Sequence, residues 1–227
     1  MLAGFTVASV MAVMTPALAE ARVGLKPGTE LNIYRDNGKV SSCSLGFLAT
    51  NDAGVRLAVT AGHCADGAGA RVVSAKGNPI GQVVSHLTDD TANDIFGVTV
   101  IKLASNTYTS DAYFTKYGNP GVGDYVRKYG IRTDKTEGTI TSISTSSKSP
   151  RVGRMESTMV SLSGDSGAAW VSGDGNGGAK LLGLNIGHTT RKDGGYGVAY
   201  GFPISSLVSL VRNGSDLWGP GFIPVGR

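Results

Sequence analysis

Short apolar runs with a period of two extend along most of the chain, and turn-forming residues separate them. Glycine accounts for 34 of the 227 residues, which is roughly twice its average usage. Many short alternating runs bounded by Gly, Asn, Asp and Ser are typical of all-β proteins with tight turns. We therefore predict an all-β fold. The predicted strands are 30–34, 42–49, 55–60, 80–87, 95–103, 124–129, 139–144, 168–172, 181–186 and 197–202.

One helix is predicted near the C-terminus, over residues 203–211, because Ile204, Leu207 and Leu210 recur at helical spacing. The polar stretch 105–123 indicates a connection between two β-barrels. This divides the chain into an N-terminal barrel (20–110), a linker (111–123) and a C-terminal barrel with the terminal helix (124–227).

The N-terminal residues 1–19 resemble a secretory signal peptide. Residues 2–18 are apolar and uncharged, and Pro16-Ala17-Leu18-Ala19 ends in a small-x-small pattern. No Lys or Arg precedes the apolar stretch, which suggests a start upstream of Met1. The alternatives are a buried N-terminal helix and an uncleaved anchor. No other run is long and apolar enough to span a membrane.

The chain contains two cysteines, Cys43 and Cys64. In an exported protein such a pair usually forms a disulfide. The bridge would close a loop of about 20 residues and stabilise the fold by roughly 3 kcal/mol. Two reduced, buried thiols are the alternative if the protein is not exported.

Two motifs carry chemistry, Thr60-Ala61-Gly62-His63-Cys64 and Gly164-Asp165-Ser166-Gly167. A serine hydroxyl becomes a useful nucleophile when a histidine accepts its proton and a carboxylate orients that histidine. Asn93-Asp94, at the start of an apolar run, offers the carboxylate, with Asp89 and Asp90 as local competitors.

The order His63, Asp94, Ser166 differs from the subtilisin order and from that of α/β-hydrolases. An α/β-hydrolase is further disfavoured because Ala168 replaces the last glycine of its nucleophile motif, and only His188 follows Ser166.

Several segments together resemble the streptogrisin and α-lytic branch of the chymotrypsin-like serine proteases, across roughly residues 40–212. The segments are 43–47, 59–64, 93–94, 164–167 and 199–204. The resemblance implies a trypsin-like fold of two perpendicular six-stranded antiparallel barrels with a C-terminal helix. It also implies a secreted bacterial endopeptidase that acts through an acyl-enzyme.

In this family pattern Ser166 is the nucleophile, His63 the general acid–base and Asp94 the orienting carboxylate. The backbone N–H groups of Gly164 and Ser166 form the oxyanion hole. Asp165 holds the oxyanion loop by a buried ion pair.

For Asp165 the resemblance implies a basic partner from an early strand of the second barrel, either Arg127 or Lys128. A rival is a new N-terminus made by cleavage near Arg22-Val23-Gly24, which faintly resembles an activation site.

The resemblance places Val160 at the base of the primary specificity pocket, with Ser163, Asn185, Gly187 and His188 around it. Val160 is not acidic, so a trypsin-like preference is not expected, and an apolar or small residue before the cut is the default.

The alternative is a cationic pocket for glutamate. Ser163 and His188 fall near positions where glutamate-specific relatives place polar groups, and Arg191 and Lys192 follow closely. Asn185 stands where glutamate-specific relatives have a histidine. Further departures from the family pattern are Leu162 in place of a cysteine and Ala168 in place of a glycine.

The net charge is +4, which suits a soluble protein and does not demand nucleic acid. The resemblance implies a polypeptide substrate, and a monomer is expected. No cofactor or metal motif is evident, and no membrane contact is expected after signal removal. Between residues 127 and 154 basic side chains outnumber acidic ones, which indicates a solvated face or a site for an anionic cell-surface polymer. These basic residues are Arg127, Lys128, Arg132, Lys135, Lys148, Arg151 and Arg154.

The second hypothesis for function is a secreted protease-fold binding module, or a zymogen-like protein with little turnover. Intact triad residues favour the enzyme.

Overall fold

The computed structural model describes residues 21–146 and 148–226. The predicted signal peptide, residues 1–19, therefore lies outside the described residues. Nearly all regular structure within the described residues is β. The strands form two large sheets and a two-stranded parallel pair, and one α-helix accompanies them. The parallel pair is β1 (Val23–Leu25) with β9 (Thr107–Thr109).

The first sheet has eight strands in the order β17-β4-β5-β8-β7-β6-β2-β3. Its strands are β2 (Glu30–Tyr34), β3 (Val40–Ser44), β4 (Phe47–Thr50), β5 (Leu57–Ala61), β6 (Arg71–Val73), β7 (Pro79–Leu87), β8 (Val98–Leu103) and β17 (Ile223–Pro224). The edge strands β17 and β3 do not pair with each other in the described chain, so this sheet is a half-barrel.

The second sheet closes into a barrel of six strands, because β15 pairs with β16 as well as with β14. A short parallel strand, β10 (Lys116–Tyr117), adds to its β15. The barrel strands are β11 (Tyr125–Gly130), β12 (Asp134–Ser144), β13 (Arg154–Ser157), β14 (Ala169–Gly173), β15 (Ala179–Thr190) and β16 (Tyr196–Pro203). Its core residues are Val126, Ile140, Met155, Met159, Trp170, Leu182 and Ala199.

The helix α1 covers Ile204–Gly214 and follows β16 directly. It begins one residue later than predicted because Pro203 ends the strand with an extended backbone and caps the helix. The buried face contains Ile204, Leu207, Leu210 and Val211, whose helical spacing predicted the helix, together with Val208. This face packs into the core of the first sheet, so the helix joins the two halves of the molecule.

The all-β prediction with a terminal helix is confirmed, and β2 has the predicted bounds. The predicted strand 42–49 is instead divided at Gly46. A Cβ on Gly46 would lie 2.5 Å from the carbonyl oxygen of Gly167, so the chain here passes directly under the second barrel. Strand β17, from the C-terminal end of the chain, pairs with β4 and therefore belongs to the first sheet.

Helix α1 is too short to span a bilayer, and no membrane-spanning helix is found in the part of the chain that the structure describes.

Candidate active site

His63 lies in a single 3₁₀ turn, Gly62–Cys64, that follows β5 of the first sheet. The disulfide between Cys43 and Cys64 is formed and ties this turn to β3. Arg35 Nη2 donates to the carbonyl oxygen of His63 at 2.6 Å, and His86 Nε2 donates to that of Gly62 at 2.9 Å. The backbone that carries His63 is therefore fixed on three sides.

Ser166 lies in the turn before β14 of the second barrel, and its hydroxyl points at His63. The distance between Ser166 Oγ and His63 Nε2 is 2.7 Å. The carbonyl oxygen of Ser166 accepts a hydrogen bond from Ser44 N–H at 2.8 Å. Gly167, which follows, has φ of +83°, and a Cβ there would lie 1.9 Å from Thr60 Oγ1. Only glycine fits this approach of the two sheets.

The carboxylate that contacts His63 belongs to Asp89. Asp89 Oδ2 lies 2.5 Å from His63 Nδ1 and also accepts the backbone N–H of His63 at 3.0 Å. The other oxygen, Oδ1, accepts the N–H of Gly97. The Asp89 side chain is fully buried, whereas His63 is partly exposed toward the cleft. A buried acceptor on Nδ1–H keeps Nε2 free to accept the serine proton.

The prediction that Asp94 orients His63 is wrong. Asp94 follows the 3₁₀ turn Thr91–Asn93 in the left-handed conformation, with φ of 52°. Its carboxylate forms an ion pair with Arg154, and its side chain is 58% exposed. The turn between the paired residues Asp90 and Ile95 directs Asp94 away from His63.

Two glycines allow Asp89 to reach the histidine turn. A Cβ on Gly62 would lie 2.7 Å from Asp89 Oδ1 and 2.4 Å from the carbonyl oxygen of Leu87. A Cβ on Gly97 would lie 1.9 Å from that same carbonyl oxygen. The segment that carries Asp89 is therefore packed between two positions that accept no side chain. Gly62 and Gly97 are the residues in the sequence that accompany Asp89, but only the structure shows that they pack against its segment.

The backbone N–H groups of Gly164 and Ser166 donate to no protein acceptor among the described residues. Gly164 has φ of +105°, a conformation that favours glycine. Ser44 Oγ donates to the carbonyl oxygen of Gly164 at 3.0 Å and accepts Ile131 N–H at 3.1 Å. Ser44 thus fixes the peptide bond between Gly164 and Asp165, which lies between the two free N–H groups.

Asp165 lies between those two residues and is fully buried with Lys128. Lys128 Nζ donates to Asp165 Oδ2 at 2.8 Å and to Thr133 Oγ1 at 2.7 Å. Further hydrogen bonds reach the carboxylate from Thr133 Oγ1 and from the N–H groups of Leu162, Arg132 and Thr133. Both carboxylate oxygens of Asp165 therefore have hydrogen-bond partners.

Burial acts on both members of this pair. It lowers the pKa of Lys128, against the opposing effect of Asp165. Burial alone would raise the pKa of Asp165, but the hydrogen bonds from Lys128, Leu162 and Thr133 outweigh it and lower that pKa overall.

Of the two predicted partners for Asp165, the structure places Lys128 in contact. Arg127, on the alternate face of β11, lies over the ring of Tyr113. Gly130 completes the site, because a Cβ there would lie 2.2 Å from Asp165 Oδ1.

The structure does not assemble the predicted substrate pocket as one cavity. Val160 is 45% exposed, so it cannot form the base of a deep pocket. Asn185 is fully buried and donates to Ser161 Oγ at 2.8 Å while accepting from Trp170 Nε1. Its role is structural, because both ends of the amide are used inside the barrel.

The remaining pocket residues are separated. Ser163 lines a cavity of about 390 Å³ with Gly164 and Arg132. His188 stacks on Tyr196, with ring centroids 5.0 Å apart. Gly187 precedes His188 and lies close to Tyr200. A Cβ on Gly187 would lie 3.1 Å from the Tyr200 hydroxyl.

The basic residues between 127 and 154 do not form one exposed cationic surface. Lys128 is buried, Arg154 pairs with Asp94 and Glu156, and Lys135 pairs with Glu137. Arg151 donates to the carbonyl oxygens of Phe96 and Thr88. Of the described side chains, no group of three or more His, Cys, Asp or Glu residues is arranged to hold a metal ion.

Comparison with known proteins gives matches among solved structures. No protein-family model and no curated protein matches the chain. Thermobifida fusca protease A aligns with a TM-score of 0.65 and 22% identity, over 90% of this chain and 100% of its own. A Nocardiopsis protease aligns with a TM-score of 0.60 and 20% identity, over 80% and 93%.

A third structure is that of a serine protease specific for glutamic acid, with a histidine triad in substrate binding. It aligns with a TM-score of 0.62 and 22% identity, over 84% of this chain and 98% of its own. The chain has the fold of the bacterial chymotrypsin-like serine proteases. That fold places the cleft, and with it Ser166 and His63, between the two sheets.

Proposed function

We propose that the protein is a secreted serine endopeptidase with Ser166, His63 and Asp89 as its catalytic triad. The observation that carries this proposal is the continuous hydrogen-bonded chain across the cleft. It joins Ser166 Oγ to His63 Nε2 at 2.7 Å and His63 Nδ1 to Asp89 Oδ2 at 2.5 Å. Nucleophile, base and orienting group lie in the order that acyl transfer requires.

In the first half-reaction Ser166 Oγ attacks the carbonyl carbon of the scissile bond, and its proton passes to His63 Nε2. Asp89 stabilises the imidazolium that forms and does not itself become protonated. The imidazolium then donates the proton to the leaving amine as the C–N bond breaks. Water repeats these steps on the acyl-enzyme, which releases the acid and regenerates the serine.

The negative charge that develops on the carbonyl oxygen needs fixed donors. The free N–H groups of Gly164 and Ser166 supply two, and each such donor contributes about 3–4 kcal/mol in the subtilisin example. Their positions depend on the loop that the buried Lys128–Asp165 pair anchors. The loop is therefore ordered without a cleaved N-terminus, which supports Lys128 over activation near Arg22.

Secretion and substrate class follow from the same reasoning. The disulfide between Cys43 and Cys64 suits an oxidising compartment, in line with the predicted signal peptide and a bacterial secreted protein. None of the residues predicted to line the specificity pocket is acidic, so the proposed activity is not trypsin-like. A monomer that acts on polypeptides is the expected form.

A fluorophosphonate probe tests the proposal, because it reacts with an activated serine. Mass spectrometry of the disulfide-bonded protein should locate the label on Ser166, and peptide hydrolysis should accompany it. Ser166→Ala and His63→Ala should abolish labelling, whereas the control Ser142→Ala, at an exposed serine of β12, should retain it. An unlabelled Ser166 in the folded protein would refute the enzyme and favour a protease-fold binding module.

A further inference from the structure

The tyrosine at the start of β16, Tyr196, contacts two segments that flank Ser166. The first wall is the segment 159–161, and the second wall is the end of β15. Its hydroxyl accepts the N–H of Ser161 at 2.8 Å and donates to the carbonyl oxygen of Met159 at 2.9 Å. Ser161 lies five residues before the nucleophile. The phenol ring therefore runs from β16 to the segment that leads into the oxyanion loop.

The second wall is the end of β15. β14 and β15 pair as far as Ala169 and Leu184, and Asn185 N–H still donates to Ala168. Beyond Asn185 this edge of β15 has no partner strand in the described chain. The carbonyl oxygen of Ile186 lies 3.5 Å from Ser166 Oγ. A substrate chain bound at Ser166 would therefore run along residues 186–188.

His188 stands on this part of β15 and stacks on Tyr196, with an interplanar angle of 19°. It lies opposite Ala199 of β16, a residue buried in the barrel core. The His188 ring, and the Tyr196 ring stacked on it, therefore lie on the same face of the sheet as the buried Ala199.

A second side chain, Asn185, also connects β15 with the segment before the nucleophile. The buried Asn185 donates to Ser161 Oγ at 2.8 Å and to the carbonyl oxygen of Asp165 at 3.2 Å. Burial raises the pKa of Tyr196, so its hydroxyl keeps its proton and remains a donor to Met159 at neutral pH. Tyr196 and Asn185 therefore both connect the segment before the nucleophile with the strands β15 and β16.

We propose that Tyr196 and His188 close the primary specificity pocket, so that the enzyme cleaves after Gly or Ala. This inference rests on the proposed function and narrows its substrate class.

The alternative, a cationic pocket for glutamate, loses one of its basic groups in the structure. Arg191 and Asp193 are 66% and 71% exposed and lie 3.8 Å apart at the turn beyond β15. Arg191 N–H also closes that turn on Gly195. Lys192, the next residue, is exposed as well, and His188, the third basic residue of that alternative, is stacked on a neutral ring.

The test uses peptides that differ only in the residue before the cut: Gly, Ala, Leu, Phe, Glu and Lys. The wild type should cleave after Ala or Gly with kcat/KM at least tenfold above that for Leu or Phe. One or more misplaced methylenes in a pocket typically cost 10–200-fold. His188→Gly and Tyr196→Ala should each raise the ratio of Leu to Ala by tenfold or more.

Tyr125→Ala, which removes an exposed tyrosine of β11, is the matched control and should leave the profile unchanged. Fluorophosphonate labelling of Ser166 in every variant shows that the site is assembled. Labelled wild type that prefers Leu, Phe or Glu would overturn the closed pocket and leave the protease intact. Unlabelled wild type would overturn both proposals.

Discussion

Replacing Lys128 by methionine removes the buried cation that holds Asp165. Both side chains are fully buried, and the two charged atoms lie 2.8 Å apart. Breaking a buried ion pair by removing one partner costs about 3–5 kcal/mol, because the other charge is left without compensation. Asp165 would retain the N–H donors of Leu162, Arg132 and Thr133. We therefore expect a loss at the lower end, about 3 kcal/mol.

Urea unfolding, followed by the fluorescence of the buried Trp170 in the same barrel, measures this loss. The midpoint should fall with little change in the slope, which would show a change in stability alone. Lys135→Met is the matched control on the same sheet, because Lys135 and Glu137 form an exposed pair. It should unfold like the wild type. A loss below about 1 kcal/mol for Lys128→Met would refute the reasoning on burial.

Three further predictions concern the groups around the nucleophile. Replacing both Cys43 and Cys64 by alanine should lower the free energy of unfolding by about 3 kcal/mol, measured by the same urea titration; no loss would contradict it. The lowered pKa of Asp165 means that its stabilising effect is complete above its ordinary pKa of 3.8 and is lost as pH falls through the lower folded value. Unfolding between pH 2 and 6 should therefore show stability rising with pH, more steeply in the wild type than in Lys128→Met; equal slopes would count against the ion pair. Ser44→Ala removes the donor to the carbonyl oxygen of Gly164 and should lower kcat about tenfold with KM unchanged, whereas an unchanged kcat would exclude a positioning role.

Features that depend on short motifs and on local spacing of apolar residues were predictable from the sequence. The motifs around His63 and Ser166 predicted the two side chains that the structure places 2.7 Å apart, and the two cysteines leave a single pairing. The apolar spacing after Pro203 predicts α1, because one buried face requires that period. The half-barrel form of the first sheet and the return of β17 to it depend on long-range pairing, which local patterns do not encode.

The choice of carboxylate was not predictable in the same way. Asp89, Asp90 and Asp94 lie within one turn region, and the resemblance favoured Asp94 because an apolar run follows it. The left-handed backbone at Asp94 and its ion pair with Arg154 decide otherwise. Local sequence does not distinguish these three acidic residues, because the turn geometry sets which side chain reaches His63.

The substrate pocket was the least predictable part of the site. Spacing from Ser166 located the segment around Val160, but not the direction of its side chains. The contact of Tyr196 with this segment joins residues 35 positions apart, and no motif marks it. The pocket shape that we propose depends on tertiary packing between β16 and the loop before the nucleophile.

The most direct test of the proposed triad compares kcat for Asp89→Asn and Asp94→Asn on one peptide substrate. An amide at Asp89 would hold His63 in the wrong tautomer, and the analogous change in the chymotrypsin-type template lowers kcat about 10⁴-fold. We expect a loss of that order for Asp89→Asn and a change of less than about threefold for the exposed Asp94→Asn. Activity retained by Asp89→Asn and lost by Asp94→Asn would contradict the triad.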